Sequence, residues 1–177
     1  MELLLGRIDT PIGEMLAVCR GESLCALEFA DHGESMMDAL KARFGAFRLV
    51  ERSDPAGACS RLQAYFSGAL DAPAELAIDA GGTDFQKNEW RALRAIRPGE
   101  IVTYAGLAAR LGTPKAVRAV ARANALNPVN IAIPCHRVIG ADGSLRGYSG
   151  GLERKRWLLE HEGVRLEARQ ARKPPTF

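Results

Sequence analysis

The chain has no apolar run approaching the roughly 20 residues that a membrane-spanning helix needs, which excludes a helical membrane protein and leaves no membrane partner to expect. Its first residues, MELLLGRIDTPIGE, hold too short an apolar stretch, with an early acidic residue, for a secretory signal. The four cysteines (Cys19, Cys25, Cys59, Cys135) follow no disulfide framework. Without an export signal, reduced thiols and a cytoplasmic location are expected. Cys19 and Cys25 flank a short turn near His32, but the spacing is loose for zinc and no fourth ligand is evident. No metal and no cofactor are therefore expected. Repeats and low-complexity segments are absent too. What remains is a chain of 177 residues, 47% hydrophobic and 25% charged, with apolar material for a real core.

The net charge of +3 conceals an uneven distribution. Residues 1–84 hold 7 Lys/Arg against 14 Asp/Glu, a balance of −7, and residues 85–177 hold 17 against 7, a balance of +10. A basic half joined to an acidic one points to a polyanionic partner for the second half, nucleic acid first. A merely solvated basic surface accounts for the charge equally well.

The first half reads as a small α/β unit. LLLGRID, EMLAVC and LCALEF are apolar or alternating runs separated by Thr10-Pro11-Ile12-Gly13 and Arg20-Gly21-Glu22-Ser23, which predicts three antiparallel strands. Ser35 to Phe44 has helical spacing and stops at Gly45, and Phe47 to Val50 reads as a further strand. Asp54-Pro55 starts a helix with Leu62, Tyr65 and Phe66 on its apolar face, stopped by Gly68. The expected division is an α/β unit over 1–80, a Gly-rich linker over 81–84, a mainly helical unit over 85–167 and a frayed tail over 168–177.

In the second half the spacing predicts a helix from Phe85 to Ile96, ended by Pro98-Gly99. Thr103 caps a short helix, Tyr104 to Leu111, and Pro114 opens another, Lys115 to Asn124. Two short helices joined in this way resemble a helix-turn-helix. The second is slim and alanine-rich, with Arg118 and Arg122 on one face and Lys115 extending the basic stripe. It suits a DNA groove with phosphate contacts and little base reading, since it carries no set of Asn or Gln to read bases. An alanine-rich helix that only packs on a neighbour has the same composition, and the charge asymmetry leaves the two readings level.

The segment NPVNIAIPCHRVIG places Cys135 beside His136 where an apolar run ends. A thiol reacts as the thiolate, and its ordinary pKa of about 8.5 leaves little thiolate at neutral pH. A histidine oriented by a carboxylate can remove the proton, directly or through water. Glu160 and Glu162 are the candidate carboxylates, and contact between neighbours in sequence requires a turn after Pro134. Downstream, the loop from Arg146 to Gly151 offers an aromatic, a hydroxyl and close-approach glycines that could close over a flat ligand.

IPCHRVIG followed by GYSGGLERKRWLLEHEG, with GEIVTYAGLAARLGTPKAVRAVARANALNPVNI upstream, resembles the O6-alkylguanine-DNA alkyltransferases over about residues 85–167. The first half is similar only loosely, through DTPIGEMLAV and QAYFSG. The resemblance implies a ribonuclease-H-like α/β unit with an antiparallel sheet and helices, followed by a mainly α, winged-helix-like unit. It implies direct-reversal repair: a methyl or larger alkyl group passes from O6-alkylguanine in duplex DNA to Cys135, once and irreversibly, in a monomer. His136 would act as the base through water, with Glu162 orienting it. Asn127 would be the hinge, Arg118 the finger filling the gap left by the flipped base, and Tyr104 the phenol that assists flipping and bonds the guanine. Lys115 and Arg122 would contact DNA, Val138, Tyr148 and Ser149 would line the pocket, and Lys155 would stand near the acceptor. Asn88-Glu89 before Trp90 departs from the family pattern and is expected to lie outside the chemistry. The presence of Cys135 speaks against the alternative, a lesion-binding protein that transfers nothing.

Overall fold

The computed structural model describes residues 1–166. The tail over 168–177, and the last residue of the unit placed at 85–167, fall outside the described residues. Strands β1 (Glu2–Ile8), β2 (Met15–Arg20) and β3 (Ser23–Phe29) form the expected antiparallel meander. Helix α1 (Gly33–Phe44) then crosses back, and β4 (Arg48–Glu51) joins the far edge of β1 in parallel. The sheet order is β3-β2-β1-β4, so the sheet is mixed and the purely antiparallel expectation is corrected. The reason is the crossover: after three alternating strands, a helix returns the chain to the start before β4 runs beside β1. Gly45 ends α1 with φ of 71°, the left-handed stop that the sequence signals.

Helix α2 (Ala58–Phe66) follows a 3-10 turn over Pro55–Gly57, and it packs on β1. Asp54 caps it from a distance, its Oδ1 accepting from the backbone N–H groups of Cys59 and Ser60. Gly6 on β1 has no room for a side chain, because a Cβ there would lie 2.5 Å from the Cys59 sulfur. That close approach brings α2 down onto the sheet.

The second half contains α3 (Asp84–Arg94), α4 (Tyr104–Arg110), α5 (Val117–Ala125) and α6 (Leu152–His161). Between them lies a short parallel pair, β5 (Val102–Thr103) with β6 (Val138–Ile139). Thr83 and Gln86 close a reciprocal capping box on α3, and Thr103 caps α4 by accepting from the Gly106 N–H at 3.0 Å. The predicted helix from Lys115 is corrected: Thr113 to Ala116 form a hydrogen-bonded turn, and α5 begins at Val117. Pro114 has no N–H to donate and closes this turn rather than opening the helix, so Lys115 lies before α5 and not on its stripe.

One hydrophobic cluster runs from Ile8 and Phe29 on the sheet through Leu62 and Tyr65 of α2 to Trp90, Leu107, Val120 and Leu158. The segment before Cys135 is sewn to the sheet edge: the Leu27 N–H donates to the Pro128 carbonyl, and the Asn130 N–H to that of Leu27, both at 2.9 Å. Among the described residues no helix is long and apolar enough to cross a membrane. Cys19, Cys25 and His32 form no cluster, and no group of three or more His, Cys, Asp or Glu among the described residues could hold a metal. All four cysteines are buried free thiols.

Candidate active site

Pro134 leads into a 3-10 turn over Cys135–Arg137, the turn needed to aim neighbouring side chains at one place. The approach is strained, since Ile131 is a β-branched residue at φ of 68°, a conformation that costs about 1–3 kcal/mol. The hydrogen bonds to Leu27 and the packed core hold it there.

Cys135 is 2% exposed. Its sulfur accepts a hydrogen bond from Asn127 Nδ2 at 3.0 Å, and the same amide nitrogen donates to the Ile133 carbonyl at 2.8 Å. Asn127 Oδ1 accepts from the Val129 N–H, so this single side chain ties the end of α5 to the acceptor segment. Burial pushes the Cys135 thiol up to about 11, against the opposing effects of the Asn127 hydrogen bond and the nearby Lys155. The resting group is the thiol, and it needs a base.

A histidine adjoins it in the chain. His136 is fully buried, and its Nε2 lies 2.8 Å from Glu162 Oε1. Glu162 follows directly after α6 and also accepts from Arg137 through Nε at 2.9 Å and Nη2 at 2.8 Å, and from the Tyr65 hydroxyl at 2.8 Å. Burial raises the Glu162 carboxyl, but the hydrogen bonds from His136 and Arg137 and the charge of Arg137 outweigh it and hold the group well below the ordinary carboxylate range. An ionised carboxylate only accepts, so His136 must donate from Nε2. Burial lowers the His136 pKa despite the pull of Glu162, which leaves a neutral ring. Its Nδ1 then carries the lone pair, and no described residue hydrogen-bonds to that atom. Glu160, the other candidate, is exposed on α6.

Lys155, Tyr104 and Tyr148 each interact electrostatically with Cys135. The ammonium of Lys155 on α6, fully buried, donates to the carbonyls of Val138 and Arg146. Burial brings its pKa down to about 8, opposed by Cys135. Tyr104, half-buried at the start of α4, donates to the Arg146 carbonyl at 3.1 Å. Tyr148 is 7% exposed, meets the His136 ring edge-on at 6.4 Å, and its hydroxyl has no hydrogen-bond partner among the described residues. Val138 is buried beneath the turn. Ser149 is exposed; its Oγ lies 3.5 Å from Asn130 Oδ1, and with Asn127 it borders a cavity of about 410 Å³.

The basic residues are elsewhere. Arg118 and Arg122 stand exposed on the outer face of α5, without an ion pair among the described residues, and Lys115 is exposed in the turn before it. The buried side of the same helix, Val120, Ala123 and Asn124, packs inward. Sequence reasoning missed two members of the site. Arg137 carried a signal, as a cation adjoining the Cys-His pair. Tyr65 carried none, because it reads as one more apolar residue of α2.

The 6-O-methylguanine DNA methyltransferase DNA-binding domain matches residues 84–164. The methylated-DNA–protein-cysteine methyltransferase of Salmonella typhimurium is 43% identical over 169 residues, covering 94% of this chain and 99% of that protein. Its namesake from Mycobacterium tuberculosis is 42% identical over 164 residues, covering 91% and 93%. The crystal structure of Mycobacterium tuberculosis OGT in complex with DNA superimposes with a TM-score of 0.73 at 38% identity, covering 90% of this chain and 92% of that one. The chain thus belongs to the O6-methylguanine-DNA methyltransferase family.

Proposed function

We propose that this methylated-DNA–protein-cysteine methyltransferase, which acts on DNA in direct-reversal repair, takes the alkyl group of O6-alkylguanine on Cys135. The observation that carries the reading is the Cys135 sulfur held by Asn127 at 3.0 Å, beside a buried His136 whose Nε2 is committed to Glu162. Glu162 and Arg137 set the tautomer, so His136 Nδ1 is free to take the thiol proton through a bridging water. The thiolate electron pair forms the S–C bond, the C–O6 bond breaks, and guanine leaves once it has regained a proton. A thioether is not a leaving group, so each molecule reacts once.

The reacting carbon lies inside the base stack, and the nucleotide must turn out at a cost of a few kcal/mol. We assign Arg118 to the space it vacates, with Lys115 and Arg122 on phosphates and Asn127 as the hinge behind α5. Tyr104 bonds the flipped ring, and Val138, Tyr148 and Ser149 line its pocket. Lys155 holds the β6 and Arg146 carbonyls that face this pocket. We further read residues 1–80 as a ribonuclease-H-like unit, 81–84 as a linker and 85–167 as a winged-helix-like unit, working as a monomer.

Incubation with duplex DNA carrying labelled O6-methylguanine tests the assignment. Label is expected to move to protein and level off at one equivalent, and Cys135→Ser is expected to accept none. Turnover beyond one equivalent, or tight binding with no transfer, would overturn it.

A further inference from the structure

Glu89 lies within α3, is 0% exposed, and has neither carboxyl oxygen hydrogen-bonded to a described residue. Asn124 on α5 is 1% exposed, and its side-chain amide hydrogen-bonds toward the Tyr104 phenol. The two helices meet at this point, since the Trp90 indole donates to the Ala123 carbonyl at 3.0 Å, one residue away on each. Helix α3 also packs on the turn over Cys135–Arg137. Leaving a buried polar group unsatisfied costs about 1–3 kcal/mol. A packed core gains nothing by keeping such a carboxyl.

Both groups converge on the acceptor. The Glu89 carboxylate acts on the Tyr104 phenol and on the Cys135 thiol, and the Asn124 amide acts on the same phenol. From α4 the titratable neighbour is Tyr104, and from the acceptor turn it is Cys135; α5 offers only the uncharged Asn124. Lys155, 6.0 Å from the Tyr104 ring, and Arg146 complete the charged groups around that phenol. With no partner of its own, Glu89 is pushed by burial up to about 8 and is neutral at pH 7.

We propose that Glu89 is a positioning residue for alkyl transfer: its neutral carboxyl keeps the corner behind Tyr104 and Cys135 uncharged, and its ionisation stops the reaction. The proposal rests on the reading of Tyr104 as the phenol that bonds the flipped base. While Glu89 is neutral, only the Arg146 carbonyl holds the Tyr104 hydrogen, and the guanine can take its place. Once ionised, the carboxylate puts a negative charge near the phenol and the thiol and opposes formation of the Cys135 thiolate. The proton balance of transfer is unchanged, because the proton that leaves the thiol is matched by the one that guanine gains. Glu89 itself begins and ends each event in one state.

The test is single-turnover transfer from O6-methylguanine duplex between pH 6 and pH 9.5, comparing the protein with Glu89→Gln, which stays neutral throughout. A group titrating at about 8 is about one-tenth ionised at pH 7 and nine-tenths at pH 9. The rate ratio of Glu89→Gln to the unaltered chain is therefore expected to rise about tenfold across that interval. A flat ratio overturns the proposal. Should Glu89→Gln fail to fold, Glu89→Leu replaces it; it removes the unpartnered carboxyl, is expected to melt higher, and should give the same rise. Tyr104→Phe separates the two readings. Loss of the alkaline fall supports the route through Tyr104. A fall that persists there but vanishes in Glu89→Gln overturns the reading of Tyr104 and leaves Glu89 acting on Cys135 alone.

Discussion

The acceptor corner and the outer face of α5 hold their charges in opposite ways. Glu162 is buried and takes hydrogen bonds from His136, Arg137 and Tyr65, so its geometry is set before DNA arrives. Arg118 and Arg122 are exposed and uncommitted among the described residues. The difference follows from the partner. Chemistry at a thiol whose pKa is pushed to about 11 needs a base already in its correct tautomer. In the proposed roles, contacts to phosphate and to a vacated base stack gain only when DNA is present, so a cation paired in advance would have to break that pair first.

The sharpest way to break this contrast is at its buried end. Glu162→Gln removes the charge that Arg137 and His136 answer, and loss of one partner from a buried pair costs about 3–5 kcal/mol. Melting should show that loss at pH 7, together with loss of transfer. The sign with pH follows from the depressed carboxyl. The unfolded Glu162 titrates near the ordinary value of about 4.3 and the folded one below it, so its stabilisation is fully present above that pH. It fades as pH falls toward the folded value, and Glu162→Gln should lack this part of the acid sensitivity.

At the exposed end, Arg118→Ala should leave melting within about 0.5 kcal/mol, as a surface change does. Duplex repair should slow by about 10- to 100-fold, the equivalent of a few kcal/mol of flipping cost, while reaction with free O6-alkylguanine base stays near that of the unaltered chain. Equal loss on both substrates would move Arg118 out of the base stack. Smallest of the three is Arg122→Ala: with one fewer cation on the phosphates, the salt slope of DNA binding should fall by about one. An unchanged slope would return that side of α5 to plain solvent exposure.

How far these regions were legible in the sequence differs for a physical reason. PCHRV places a thiol, a histidine and a cation within a single turn, so local chemistry points to Cys135 and His136 as candidates, and the carboxylate choice narrowed to two residues. Thr103 and Gly45 were legible as a cap and a stop because both act on backbone within a few residues. Lys115 was misplaced because Pro114 suits either a first helical turn or the turn before one. Glu89 read as a packing change outside the chemistry; that it is fully buried, with neither carboxyl oxygen hydrogen-bonded to a described residue, is visible only in the structure.

By itself the sequence determined which thiol stands beside a histidine, the charge divide between the halves, the slim basic helix and most element ends, because all of these depend on residues close along the chain. The tertiary structure alone decided that β4 runs parallel to β1, that Glu162 rather than Glu160 meets His136, and that Tyr65 crosses from the acidic half to the same carboxylate. Such pairings join residues far apart in sequence, 97 positions for Tyr65 and Glu162. They exist only once a shared core has excluded water and made an unanswered charge too costly to bury.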